Sequence, residues 1–261
     1  MSAAAESALL TEVRNGALWI TLNRPHALNA MNKAVRVGLI DALQNAAHDA
    51  DVRVVVITGS ERAFSAGGDM KEMGGGPDSS VEMLSESGRI IELIAGMPKL
   101  VIAAVRGHAA GAGMSLALAC DLVLGDTSAR FTPSFILRGL APDMSGTYFL
   151  VRQVGLLTAK RIVMSGRAID AAEAYALGLL AELWEPSEFP KALQRCVAEL
   201  ANGPTLAHGL AKQLLNQSLQ HDLTSQLQHE LSHQVTLTQS EDHREAVRAF
   251  GEGRDAKFVG R

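Results

Sequence analysis

The chain has 261 residues, of which 47% are hydrophobic and 20% charged, and its formal net charge is −4. That length and balance support a sizeable apolar core, as one large domain or one domain plus a helical extension, and exclude the basic field needed by a nucleic-acid or anionic-membrane binder. Two cysteines, Cys120 and Cys196, form no disulfide framework, so a reducing cytoplasm is the expected setting. No signal peptide or membrane-spanning run is expected.

After a small polar start, segments 9–14 and 17–23 flank Asn15-Gly16, a dipeptide typical of a tight β-hairpin. Arg24-Pro25 ends the second strand. Asn32 is placed to cap a helix running to about His48, with Val35, Leu39, Leu43 and Ala46 on one face. Residues 52–58 are rich in β-branched side chains and read as a buried strand.

The stretch Arg62-Ala63-Phe64-Ser65-Ala66-Gly67-Gly68-Asp69-Met70-Lys71-Glu72-Met73 follows. Adjacent glycines permit backbone shapes closed to other residues and let a ligand approach the main chain. Asp69 and Glu72 read as a capping box opening a helix, so free N–H groups face the turn and favour negative charge. The same residues also fit a plain strand-to-helix connection capped by Asp69. A glycine loop, 74–77, precedes a helix over about 79–95. Strand 100–105 then runs into a second glycine-rich turn, Gly107-His108-Ala109-Ala110-Gly111-Ala112-Gly113, with a small-residue helix over 114–120 and a strand over 121–125. Repeated strand–turn–helix units indicate a layered α/β fold. Beyond Ser145 the chain is mostly helical, with a capping box at Asp170 and Glu173, a C-terminal cap at Gly178 and a short strand over 179–184. The break at Asn202-Gly203-Pro204 divides an expected core, 1–200, from a helical region, 201–261.

Two motifs point elsewhere and are set aside. His229-Glu230-Leu231-Ser232-His233 has the spacing of a zinc-protease helix. Its helix carries Leu223, Leu227, Leu231 and Val235 as the expected buried stripe, which turns the histidines to the opposite, polar side. No third ligand is announced nearby, so no metal site is expected. Gly111-x-Gly113 lacks the third glycine and the acidic partner of a dinucleotide fingerprint.

The segments Asn23-Arg24-Pro25-His26-Ala27-Leu28-Asn29-Ala30, Ala63–Asp69, Gly111–Val123, Pro142–Thr147, Ser165–Ala171 and Ala249-Phe250 to Phe258 occur in the order seen in one family. Through them nearly the whole chain resembles the crotonase superfamily, the enoyl-CoA hydratases and isomerases. The resemblance implies a spiral of ββα units with a helical C-terminal trimerisation region, assembled as a trimer or hexamer. It also implies an acyl-CoA thioester as substrate, with coenzyme A as part of that substrate and no separate cofactor. Its thioester oxygen would be held by the backbone N–H groups of Ala66 and Ala112. CoA contacts would come from Arg24, Ala27, Leu28, Ala66, Gly67 and Gly68, and from Lys257 and Phe258 lent by a neighbouring subunit. A lysine frequent in the family's Arg-Pro segment is His26 here.

Two slots that carry water-activating glutamates in the family's hydratases align with Ser115 and Phe135, and neither works as a carboxylate base. One acid, Asp143, aligns with the slot where isomerase branches place their catalytic carboxylate, and an aromatic at Phe135 also resembles a ring-substrate isomerase branch. One carboxylate suffices to move a double bond, so an acyl-CoA isomerase is expected, with a weak hydratase, a thioester hydrolase or a non-catalytic CoA-ester binder as alternatives. Read alone, Asp143 is more readily a helix cap, and it is the family resemblance that turns the reading toward catalysis. Ser115 and His108 are secondary acid–base candidates, each also readable as an ordinary core or turn residue. Met70, Met73, Ser115, Phe135 and Met144 are the expected acyl pocket.

Overall fold

A computed structural model describes residues 7–74 and 76–261; the expected frayed start and Gly75 of the glycine loop lie outside the described residues. In chain order the strands are β1 (Leu9–Arg14), β2 (Ala17–Leu22), β3 (Val54–Thr58), β4 (Ala63–Ser65), β5 (Leu100–Val105), β6 (His108–Ala110), β7 (Leu122–Asp126), β8 (Arg130–Thr132), β9 (Ile169–Asp170) and β10 (Glu182–Trp184). The helices are α1 (Lys33–His48), α2 (Pro77–Gly96), α3 (Ala112–Ala119), α4 (Gly146–Val154), α5 (Leu156–Ser165), α6 (Ala171–Ala176), α7 (Phe189–Asn202), α8 (Thr205–Gln217), α9 (Leu223–Thr238) and α10 (Glu241–Glu252).

Asn15 and Gly16 both take positive φ, as a tight turn between β1 and β2 requires. β1 pairs antiparallel with β2, and the remaining pairs of the six-stranded sheet, ordered β1-β2-β3-β5-β7-β10, are parallel. Its central strands are apolar on both faces because both are covered. Leu18, Ile20, Val55, Ile57, Val101 and Ala103 face the main core, whereas Trp19, Val54, Val56, Ile102 and Ala104 face α7 through Phe189, Leu193 and Val197.

A second sheet, ordered β4-β6-β8-β9, is built from three-residue strands and a two-residue one. Each of β3, β5 and β7 leads directly into a member of this sheet and then a helix, which gives the ββα repeat. These strands are too short to show a period of two, so the sequence pattern does not mark 63–65 as a strand and places 108–110 within a glycine-rich turn.

Helix starts follow their caps. The Asn32 side chain accepts from Val35 N at 3.1 Å, and that of Asp170 accepts from Glu173 N at 2.9 Å. The expected helix after Asp69 is instead a 3₁₀ turn, Met70–Glu72. Asp69 does cap it, accepting from Lys71 N at 3.1 Å, but Glu72 closes no capping box. Its carboxylate reaches Lys33 N at 3.0 Å and Arg36 at 3.0 Å, at the start of α1. α8 is fastened to the sheet by Lys212, whose buried ammonium donates to Ile94 O at 2.6 Å and to Asp121 at 2.8 Å.

α9 corrects a second expectation. Leu223, Leu227, Leu231 and Val235 are exposed, Leu231 by 66%. The face turned toward α8 carries Gln226, Glu230 and His233 together with Leu237. No helix among the described residues is long and apolar enough to cross a membrane.

Candidate active site

Parallel pairing of β4 with β6 brings the chain out of both strands side by side, so the turn at 66–68 lies against the turn at 111–113. Gly67 has φ +95°, and a Cβ there would stand 2.6 Å from Ala110 O and 3.2 Å from Ala112 N. A Cβ on Gly113 would collide with the Ser65 carbonyl. The turns therefore meet main chain to main chain, which only glycine allows at these two points.

The N–H groups of the first turn are nearly all engaged. Ala66 N donates to Leu28 O at 2.9 Å, Gly67 N to the Ser65 hydroxyl at 3.1 Å, and Asp69 N to Met31 O at 3.3 Å. The N–H of Gly68 has no partner among the described residues, and neither has that of Ala112, the first residue of α3. This corrects the assignment of Ala66: its N–H is spent on the carbonyl of Leu28, which reaches it because Leu28 and Asn29 both adopt positive φ. The Ala112 N–H is free among the described residues, and the residue's Cβ causes no strain because the residue is helical.

Both donors line a cleft of about 280 Å³. Of the expected residues, Ala27, Ala66, Gly67, Gly68, Met70, Met73 and Phe135 line it. Lys71, Ser134, Arg138 and Leu140 also line it and were missed. Lys71 had a signal, its place in the turn just after the glycines; Arg138 had none, since a 3₁₀ turn at Ile136–Arg138 carries it there.

Other expected residues are placed differently. Arg24 is not on the cleft wall: its Nη1 donates to Asp69 at 2.8 Å and to Ala30 O at 2.6 Å, so it braces the first turn. Leu28 is not on the cleft wall, and its carbonyl accepts from Ala66 N. Lys257 and Phe258 lie away from the cleft, in a tail held by Arg53, which donates to Phe258 O at 3.0 Å, and by Asp242, which accepts from Val259 N and Gly260 N. Ser115 lines a smaller inner chamber next to the cleft, and Met144 is buried but lines neither space. His108 is exposed.

Two carboxylates matter here, in opposite states. Burial disfavours the charge on Asp69, but the Lys71 N–H and the Arg24 guanidinium outweigh that cost and hold its carboxyl below the usual range. Asp143 itself lines neither space, although Pro142 and Gly146, on either side of it in the chain, line the inner chamber. Burial pushes its carboxyl up to about 6. Its Oδ1 is buried with no hydrogen-bond partner, and it does not cap α4, which begins at Gly146. The two residues after it, Met144 and Ser145, both have positive φ, a costly conformation for side chains with a Cβ and one that accumulates at functional sites.

Among the described residues no three His, Cys, Asp or Glu side chains gather as metal ligands. His229 stacks on His221 with ring centroids 4.6 Å apart.

Paired backbone donors between two ββα turns, above an apolar cleft, are a means of holding a developing oxyanion. The model of the enoyl-CoA hydratase/isomerase family matches residues 12–261. The chain belongs to this family, within the crotonase superfamily. It is 39% identical to the protein named "Probable enoyl-CoA hydratase" from Rhodobacter capsulatus, over 96% of this chain and 97% of that one. It is 33% identical to the 1,2-epoxyphenylacetyl-CoA isomerase of Escherichia coli, over 97% of this chain and 98% of the relative. Among solved structures, an enoyl-CoA hydratase from Bacillus anthracis superposes with a TM-score of 0.92 at 30% identity, covering 97% of this chain and all of the other. The family thus includes relatives named for hydration and for isomerisation, on one shared fold.

Proposed function

We propose that the chain is an acyl-CoA isomerase that moves a double bond, or rearranges a ring, on a CoA thioester through an enolate. The observation that carries this reading is the state of Asp143: half-buried, with Oδ1 buried and unpartnered, raised to about 6, and not used as a helix cap. A carboxylate of that basicity takes a proton near neutral pH and returns it. In the proposed step substrate binding brings Asp143, which lines neither space in the free protein, onto the carbon between the thioester carbonyl and the double bond, where its carboxylate removes a proton. The electron pair moves onto the thioester oxygen, which the N–H groups of Gly68 and Ala112 receive. Collapse of the enolate then draws the same proton from Asp143 onto the far carbon, and the double bond ends in conjugation. Asp69 cannot serve in this way, because its ion pair with Arg24 keeps it a weak base.

The usual hydratase route lacks both of its glutamates, since Ser115 and Phe135 stand in those slots. A low-activity hydratase or thioester hydrolase is the second reading, favoured by relatives named hydratase. Lys71 and Arg138 on the cleft are the cations available to CoA phosphates. Lys257 and Phe258 would contact CoA only as a neighbour's contribution, in a trimer or hexamer whose assembly would cover the exposed leucines of α9.

The test is Asp143→Asn. The purified variant is expected to lose about 10²–10⁴-fold in isomerisation of a 3-enoyl-CoA, the range of general acid–base catalysis, while still binding the ester. Undiminished turnover would sink the assignment. A 2-enoyl-CoA assayed in parallel separates isomerisation from hydration, and binding without either reaction indicates a non-catalytic binder.

A further inference from the structure

Phe135 belongs to two cavities at once. Its side chain lines the cleft that holds the Gly68 and Ala112 donors, and it also lines the inner chamber. That chamber has about 10 Å³ of free space, the lower limit for a single water. Its walls include Met114, Leu118, Leu150 and Val163, and Ser115 supplies the one polar side chain lining it. Gly111 is the other residue common to both spaces; a Cβ there would stand 3.8 Å from Phe135 Cζ, so the ring edge rests on the glycine. The main chain at this point is pinned, because Phe135 O accepts from Arg138 N at 2.9 Å and from Leu140 N at 3.0 Å. The ring is thus a partition whose backbone is fixed, with apolar walls on both sides.

We infer that the Phe135 ring is the floor of the acyl pocket and limits the length of acyl group this site accepts. Short or flat acyl groups fit in front of the ring, and extended chains gain nothing because the apolar space behind it is closed. The inference rests on the reading that the cleft takes acyl-CoA thioesters. Burying one methylene is worth about four-fold in affinity, so a chain that found apolar walls would bind progressively more tightly as it lengthened. A chain stopped at the ring leaves its added methylenes in solvent.

The experiment is calorimetric titration of free CoA and of butanoyl-, hexanoyl- and octanoyl-CoA into the parent, Phe135→Ala and Phe135→Leu. Saturated esters contain no double bond to move, so the result does not depend on Asp143 being the proton carrier. The parent is expected to bind octanoyl-CoA no more than about three-fold tighter than butanoyl-CoA, and Phe135→Ala at least about thirty-fold tighter, from the four added methylenes. Phe135→Leu is expected to change in the same direction by less, and it decides the matter if the alanine variant does not fold. A parent affinity that climbs about four-fold per methylene, or variants that keep the parent's flat profile, would overturn the inference while leaving the isomerase reading intact. Failure of free CoA and every ester to bind would overturn both.

Discussion

At Asp143 the raised carboxyl is expected to be visible in stability. A carboxyl whose folded value is about 6, against 3.8 in a free chain, is held back from ionising by burial. Below pH 3.8 both folded and unfolded chains are protonated there, and nothing is lost. Between pH 3.8 and about 6 the unfolded chain ionises first, so stability falls as pH rises, and above about 6 the loss is constant. Asp143→Asn removes this loss, so its melting temperature should exceed the parent's at pH 8 and converge with it near pH 4. Equal melting temperatures at pH 8 would contradict a buried, destabilising carboxylate. Activity should show the opposite face of the same ionisation, with kcat/KM for a 3-enoyl-CoA rising through about pH 6 to a plateau, as expected of a base. Asp143 was legible in the sequence as an acid in a suggestive segment, whereas its lack of a partner depends on the Met144–Ser145 backbone and was not. Gly68 was hidden for a similar reason. Which N–H of a turn is left free is decided by Leu28, Ser65 and Met31, and only the folded chain brings those acceptors together.

The two glycine turns act as a single element. Ser65 links them, since its hydroxyl donates to Asn29 O at 2.8 Å and accepts from Gly67 N, and its carbonyl packs on Gly113. Gly67→Ala is expected to cost about 1–3 kcal/mol, from a Cβ at positive φ pressed on Ala110 O, and to remove most activity by displacing Ala112 N. Gly68→Ala is a sharper control. Its added Cβ meets the Met73 side-chain end at 2.8 Å, which can swing away, so stability should change little. Urea unfolding and turnover of the two variants, compared side by side, check this; equal damage from both would mean that main-chain contact between the turns does not hold the site. At this scale the sequence was informative wherever a local rule acts alone. Asn15-Gly16, the Asn32 cap and the apolar face of α1 all read through directly. It misled where a tertiary partner intervened, as when Arg36 and Lys33 N took the Glu72 carboxylate from its expected capping box.

Across the whole molecule, one run of exposed apolar side chains lies on α9, toward the C-terminal end. Helical period located the stripe on α9 correctly but assigned it to the interior; the pattern states which side is apolar and leaves its partner unspecified. With Leu215 and Leu219 nearby also exposed, the stripe continues beyond one helix. If a second copy covers it, Leu227→Glu or Leu231→Glu should shift the protein toward monomer in light-scattering chromatography, by placing a charge in an apolar contact. Loss of activity in that monomer with the cleft intact would be consistent with Lys257 and Phe258 acting across subunits. An unchanged mass would mean that the stripe is not the contact between copies.

Because the proposed oxyanion donors are main-chain groups held by glycine packing, they do not depend on which side chains surround the substrate. Ser115, Phe135 and Asp143 project from α3, from the segment after β8 and from the loop before α4, and they could be exchanged one at a time without rebuilding the donors. A protein so divided can change its reaction through few substitutions and remain folded while it does so. Ser115 marks the limit of that freedom: a Cβ on Gly146 would press directly on its hydroxyl, so a longer acid at 115 requires the start of α4 to retreat first.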